Sequence, residues 1–386
     1  MLKMKHIYIQ KNRIIVVVLS LFILSACKNK NQSIQFENIP IVIDVDAIKG
    51  WVTLDSTNYD VHYIPLETNK NCLIGSISKS LIHENKIIIA DYYRAMAVFV
   101  FDLNGKYLRK IDKRGRGPEE YISIDDVDVD SNGNIYIFDS WQEQFLIYDS
   151  ACVYKNTIKV GSRIGSFCLM NEHIYYADLM NGEKIVANLA VFNVSKKNIN
   201  YVIPSRELLD DYRYTKNSPF KFYRSPQKVY YSPMFSPIIY AIDETGVHPA
   251  IGLKNLKIPP KDVLLDWLRN REHQKYHSMS PQYFTETVNI YETEKYIYFT
   301  ILMKPDILLL YDKVNGKFYN LNSLYKRVGI SEMKGSTENS FWGIMNPHEI
   351  NHEALLKRKK ELKQWKEEDN PVIVFIDFDM SQLIKN

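Results

Sequence analysis

The chain has 386 residues, with 49 Lys and Arg against 45 Asp and Glu and a formal net charge of +4 at pH 7. All of that excess lies in residues 1–26, where Lys3, Lys5, Lys11 and Arg13 stand without an acidic residue, so residues 27–386 carry 45 charges of each sign. A neutral body with no basic stripe argues against a nucleic-acid partner, because such binding neutralises phosphates with clustered Lys and Arg.

The first segment reads as an export signal. Ile14 to Leu24 is an eleven-residue run, apolar except for Ser20. That is too short for a mature membrane span, which needs about 20 residues, but it suits the core of a signal peptide behind a basic start. Leu24-Ser25-Ala26-Cys27 resembles a bacterial lipobox. The resemblance implies diacylation of Cys27, a membrane anchor through that lipid, and transfer to the outer membrane because Lys28 rather than Asp follows the Cys. Residues 1–26 are thus read as the signal peptide, 27–40 as a polar tether and 41–386 as the folded domain.

Ile41 to Val45 and Val61 to Glu67 are expected as strands ahead of the first repeat. A phrase then recurs: a β-rich run ending in Asp, a short loop, a second such run, and a turn. Its clearest copies are Ile87–Asp91 with Val98–Asp102 and Asn104-Gly105, and Ile135–Asp139 with Phe145–Asp149. Later copies are Ile174–Asp178 with Leu189–Asn193, Val229–Tyr231 with Ile238–Asp243, Tyr296–Phe299 with Ile307–Asp312, and Phe341–Ile344 with Val372–Asp377. Short strands repeating every 40–50 residues are the mark of propeller blades, and six copies predict an all-β, six-bladed β-propeller. Little chain follows Asp379, so Val61–Glu67 is expected to supply the outer strand of blade six and close the ring, removing an exposed edge.

Gly115-Arg116-Gly117-Pro118-Glu119-Glu120-Tyr121, followed by Val127 to Tyr136, is similar to an NHL-type repeat. It resembles the NHL/TolB-like six-bladed propeller lipoproteins of bacterial envelopes, whose inter-blade loop reads Gly-x-Gly-Pro-Gly-Glu-Tyr. Glu119 replaces the Gly of that pattern. The resemblance covers about residues 60–150 and implies location and shape more than chemistry.

Strand parity sorts the connections between two faces. Tight turns at Asn104-Gly105, Ser131–Asn134, Asp243–Gly246 and Asn315-Gly316 share one face, with the residues hairpins favour. The other face receives Asp91–Ala95, Asp139–Gln144, Arg114–Tyr121 and three long insertions, at 204–218, 253–286 and 345–371. The insertions are expected to be helical, from Ser205 as a cap, from Val263, Leu264, Trp267 and Leu268 at helical spacing, and from Asn346-Pro347 as a start signal. Long structured loops on a rigid ring are where binding usually resides.

On that face Arg114, Arg116, Glu119 and Tyr121, with Tyr92 and Arg94 from blade one and Trp141 from blade two, are the expected ligand-binding residues. Arg suits carboxylates through its planar fork, and exposed aromatics suit a glycan, a peptide or an envelope protein partner. The competing reading is a structural inter-blade latch in which Arg116 pairs with a neighbouring carboxylate. His348-Glu349-Ile350-Asn351-His352 matches H-E-x-x-H, but His348 falls in the first helical turn and Glu353 follows the second His. A charged surface helix is therefore preferred to a zinc site, and no cofactor is expected. Cys72, Cys152 and Cys168 lack metal spacing and read as buried thiols; His62, His83 and His173 read as structural. The function expected is a non-catalytic envelope lipoprotein binding through its long-loop face; the alternative is a metal-assisted lyase or hydrolase with a site at the channel mouth.

Overall fold

The computed structural model describes residues 36–380, except 47–51, 55–57, 172, 182–183, 205–220, 261, 264–282, 285, 304–305, 347–361 and 363–364. The chain divides into Met1–Ile39 and Pro40–Asn386, and the ring described below belongs to the second unit. Cys27 and the pair His348 and His352 lie outside the described residues, as does most of each long insertion and of the helices expected there.

Six small sheets form the six blades. In chain order their inner strands are Lys79–His83, Asp126–Val129, Ser166–Met170, Phe222–Arg224, Glu286–Glu292 and Glu332–Ser336. Successive inner strands touch one another around the ring, the sixth returning to the first. The second and third strands of each blade are the apolar runs of the repeat. In blade one, Lys86–Asp91 and Ala97–Asp102 are buried at almost every position, on both faces. A blade is covered on each side by its neighbours, so its middle strands lack the polar alternation of a half-exposed sheet. The core lies between blades and is strongly aromatic: Phe145 of blade two packs against Phe138, Phe167 and Tyr176 at ring separations of 5.1, 4.7 and 6.0 Å. Each such ring is worth about 2 kcal/mol from burial alone.

The ring closes as expected. Tyr59–Pro65 runs antiparallel to Val372–Phe378 in seven consecutive pairs, from Tyr59 with Phe378 to Pro65 with Val372. The Tyr63 hydroxyl donates to Val328 O at 2.9 Å, in a short helix, Leu324–Val328, on the crossing from blade five to blade six. Two further strands ahead of the first blade pair in parallel with outer strands, Ile41–Asp44 with blade four and Val52–Thr53 with blade five. The N-terminal stretch thus runs along the outer edges of blades four, five and six in turn. Only Ile41–Asp44 and the closing strand were legible as strands; the parallel pairings were not.

Candidate functional site

Strand order places the connections as parity requires. Each inner strand begins at the face that receives the blade-to-blade crossings and second-to-third strand loops, and the tight hairpins occupy the opposite face. On the long-loop face the Asp that ends the second strand of blade one and of blade two does identifiable work. Asp91 accepts the Gly75 and Ser76 N–H groups at 2.9 Å, the Ser76 hydroxyl at 3.0 Å, and the N–H groups of Tyr93 and Arg94 at 3.2 and 2.9 Å. Burial pushes its carboxyl up, but the donated backbone hydrogen bonds outweigh burial and hold it below the ordinary 3.8. Asp139 repeats the arrangement with Ile122 N, the Ser123 hydroxyl, and the N–H groups of Trp141 and Gln142. Both carboxylates are fully buried, and each ties the crossing that enters its blade to the loop that leaves its second strand.

The Arg114–Tyr121 crossing is a latch, though not the one built on Arg116. Tyr121 is fully buried; its hydroxyl donates to Met96 O at 2.8 Å and accepts Lys113 N–H at 3.2 Å. The Tyr148 hydroxyl donates to Glu119 O at 2.7 Å, and Gln142 Nε2 to Glu120 O at 3.2 Å. The Glu120 carboxylate folds back to accept Gly117 N–H at 2.8 Å. A Cβ at Gly115 would stand 1.9 Å from that carboxylate, so a larger residue there would push the Glu120 side chain away from Gly117 N–H. Glu119 is accommodated in place of the pattern's Gly, since it does not adopt positive φ.

Two expected ligand-binding residues are therefore corrected. Tyr121 and Tyr92 turn into the ring instead of onto its rim. Tyr92 is 6% exposed and its hydroxyl donates to Asp126 Oδ1 at 3.2 Å; burial and the nearby Asp126 charge push its pKa well up. The side chains of Arg94, Arg114, Arg116, Glu119 and Trp141 remain exposed. Arg116 makes no ion pair among the described residues. Tyr93 and Trp141, each two residues beyond a latch Asp in adjacent blades, are 78% and 75% exposed. Because the crossing bonds to Met96 on one side and Gln142 on the other, these side chains form one patch spanning blades one and two.

The channel holds polar groups that sequence reasoning missed. Lys79 pairs with Asp126 at 2.7 Å between blades one and two, and Asp126 also accepts Phe167 N–H from blade three. Burial raises the Asp126 carboxyl, against the pull of Lys79. Lys221 pairs with buried Glu286 between blades four and five; burial raises Glu286 as well. Arg224 of blade four reaches Asp128 of blade two at 2.6 Å. The available signal was charge inside a strand-like run, as in Asp126-Val127-Asp128-Val129, but sequence alone does not say which strand is innermost. Of the cysteines, Cys72 and Cys168 are buried free thiols and Cys152 is half-buried and free; burial raises all three. No group of three His, Cys, Asp or Glu able to hold a metal occurs among the described residues.

Six four- or five-stranded blades around a polar channel define a six-bladed β-propeller, with blades one and two latched by the buried Asp91 and Asp139 and exposing aromatic and basic side chains on one rim. The profile of a domain of unknown function, DUF4934, matches residues 40–377, and the chain belongs to that family. Among solved structures, a Bacteroides fragilis protein inferred to be exported superposes with a TM-score of 0.70 at 19% identity, over 88% of this chain and 99% of that one. A member of a second family of unknown function, DUF4221, from Bacteroides vulgatus superposes with a TM-score of 0.52 at 8% identity, over 84% and 99%. At such identities both show the fold alone. No curated protein matches the chain.

Proposed function

We propose that this protein is an extracytoplasmic binding protein, held to the envelope, most simply the outer membrane, by a lipid on Cys27. It engages a glycan or polypeptide partner through the rim patch of blades one and two. The observation carrying this reading is the pair Tyr93 and Trp141, exposed at equivalent positions whose backbone is fixed by buried latches. Large aromatics on rigid backbone bind with little ordering cost, and with arginines beside them they are the residue types that dominate interface energetics. Arg94, Arg114 and Arg116 supply donors for acidic or carbonyl groups. Export is supported by the signal-like residues 1–26 and by the exported assignment of the Bacteroides fragilis neighbour.

Glycan and peptide arrays probed with the full chain are expected to show a partner whose binding falls about tenfold in Trp141→Ala and in Arg116→Ala, at an unchanged thermal midpoint because both side chains are exposed. Binding equal to wild type in both variants would remove the rim from consideration. Metabolic labelling with an alkyne fatty acid is expected to mark the wild type and not Cys27→Ser; labelling of both would refute the anchor.

A further inference from the structure

A cavity of about 290 Å³ lies in the channel, bounded by residues from all six blades. By liquid volume it holds about ten waters, or one molecule of monosaccharide size. Its lining mixes polar and apolar side chains. Arg224 is inside the ring yet keeps 32% of its side-chain surface accessible. Its two hydrogen bonds within the described residues come from one nitrogen: Nη2 donates to Asp128 Oδ2 at 2.6 Å and to Leu169 O at 2.7 Å. A guanidinium has five N–H donors in a rigid fork. Nη1 and Nε, with three of them, have no partner among the described residues. Ser80, 4% exposed, also lines the cavity, and its hydroxyl is buried without a hydrogen-bond partner. Unmet buried polar groups of this kind are costly and rare, and are normally met by water or ligand.

The remaining lining sets the ligand's shape and charge. Asp128 Oδ2 is already occupied, by Arg224 and by Leu169 N–H at 2.8 Å. Glu332 is paired with Lys334. Among the described residues the lining groups with hydrogen-bonding capacity left include the cationic fork of Arg224, the Ser80 hydroxyl and the Asn289 amide, beside the second carboxylate oxygens of Asp128 and Glu332. Tyr223 and Tyr291, edge to face at 6.0 Å, and Trp342, packed over Gly335, give apolar surfaces on the same cavity. The geometry points to a channel site for a small hydroxylated carboxylate of the sugar-acid class: its carboxylate on the free edge of Arg224, a hydroxyl on Ser80 and its ring against the aromatic wall. This site is separate from the rim and does not depend on the rim having a partner.

The test uses the full chain in detergent with D-glucuronate as probe, read by calorimetry and by intrinsic fluorescence, to which Trp342 is one of five contributing tryptophans. The wild type is expected to saturate with D-glucuronate and to bind D-glucose at least about tenfold more weakly, since glucose lacks the carboxylate. Arg224→Lys keeps the charge opposite Asp128 but loses the fork, and is expected to weaken binding about tenfold. Ser80→Ala removes a hydroxyl with no protein partner, so the thermal midpoint should hold while affinity drops several-fold. The proposal is overturned by no saturation up to about 10 mM D-glucuronate, by equal affinity for D-glucose, or by wild-type binding in both variants.

Discussion

The two faces of this propeller use the same residue at the same kind of position for different ends. On the long-loop face Asp91 and Asp139 close second strands and accept N–H groups 15 to 17 residues upstream as well as two to three residues on. On the hairpin face Asp102, Asp149, Asp243 and Asp312 close third strands and accept N–H groups of their own turns, such as Asn104 and Lys106 N–H for Asp102, or Ala151 and Val153 N–H for Asp149, with Asp243 also paired to His248 in the strand that follows. The first set ties elements of the ring to one another; the second shapes local turns, and those of Asp102, Asp149 and Asp243 are open to water. Loop closure costs entropy that only non-local contacts recover, so the stability of the ring should reside in the long-range set.

The largest effect expected from that difference is at the closing strand, the most non-local contact of all. Deleting residues 59–65 strips the outer edge from Val372–Phe378 and removes the Tyr63 bond to Val328. Buried side chains contribute about 2 kcal/mol each, against a total stability of about 5–15 kcal/mol for a domain. The deletion should abolish cooperative thermal unfolding followed by circular dichroism and leave an aggregation-prone edge. A cooperative melt at the wild-type midpoint would show that closure is not what holds the ring.

Next in size is the latch. Asp91→Ala leaves several donors unmet at a fully buried position, and should cost about 3 kcal/mol in urea unfolding at pH 7. The carboxyl is held below its ordinary 3.8, so its contribution is present above that value and is lost as pH falls through the depressed folded value. The gap between wild type and Asp91→Ala should therefore stay constant from pH 7 to about pH 5 and close at the acid end of the series. A gap that persists unchanged into strong acid would mean that the Asp91 charge does not matter to the latch.

How much of this was readable in advance follows from where each residue sits. Middle strands such as Gln144–Tyr148 are buried at every position and read as plain apolar runs. Outer strands such as Tyr154–Lys159 are mostly half-buried or exposed and carry no such pattern. Ile41–Asp44 was visible as a strand, but its parallel partner lies about 210 residues away, at Ile251–Lys254, and no local signal names it. Of the residues expected on the rim, Arg94, Arg114, Arg116, Glu119 and Trp141 are exposed, whereas Tyr92 and Tyr121 are buried. A loop aromatic looks the same in sequence whether its ring faces water or a neighbouring blade. The channel charges escaped for a related reason: Arg224 sits in a three-residue strand of the least regular repeat, and what it meets is Asp128, 96 residues earlier.

The smallest effect is expected where the Asp serves only its own hairpin. Asp102→Ala removes the acceptor of Asn104 and Lys106 N–H at an exposed turn. Both donors can turn to water, so the cost should be about 0.5 to 1 kcal/mol, several-fold below that of Asp91→Ala in the same urea experiment. The turn keeps its other supports, since Gly105 N–H still donates to Asp102 O, and Gly105 O still accepts Glu67 N–H from just beyond the closing strand. Those bonds are main-chain and survive the substitution, whereas at Asp91 the side chain is itself the junction. Equal losses at Asp91 and Asp102 would erase the distinction between the faces, and a larger loss at Asp102 would reverse it.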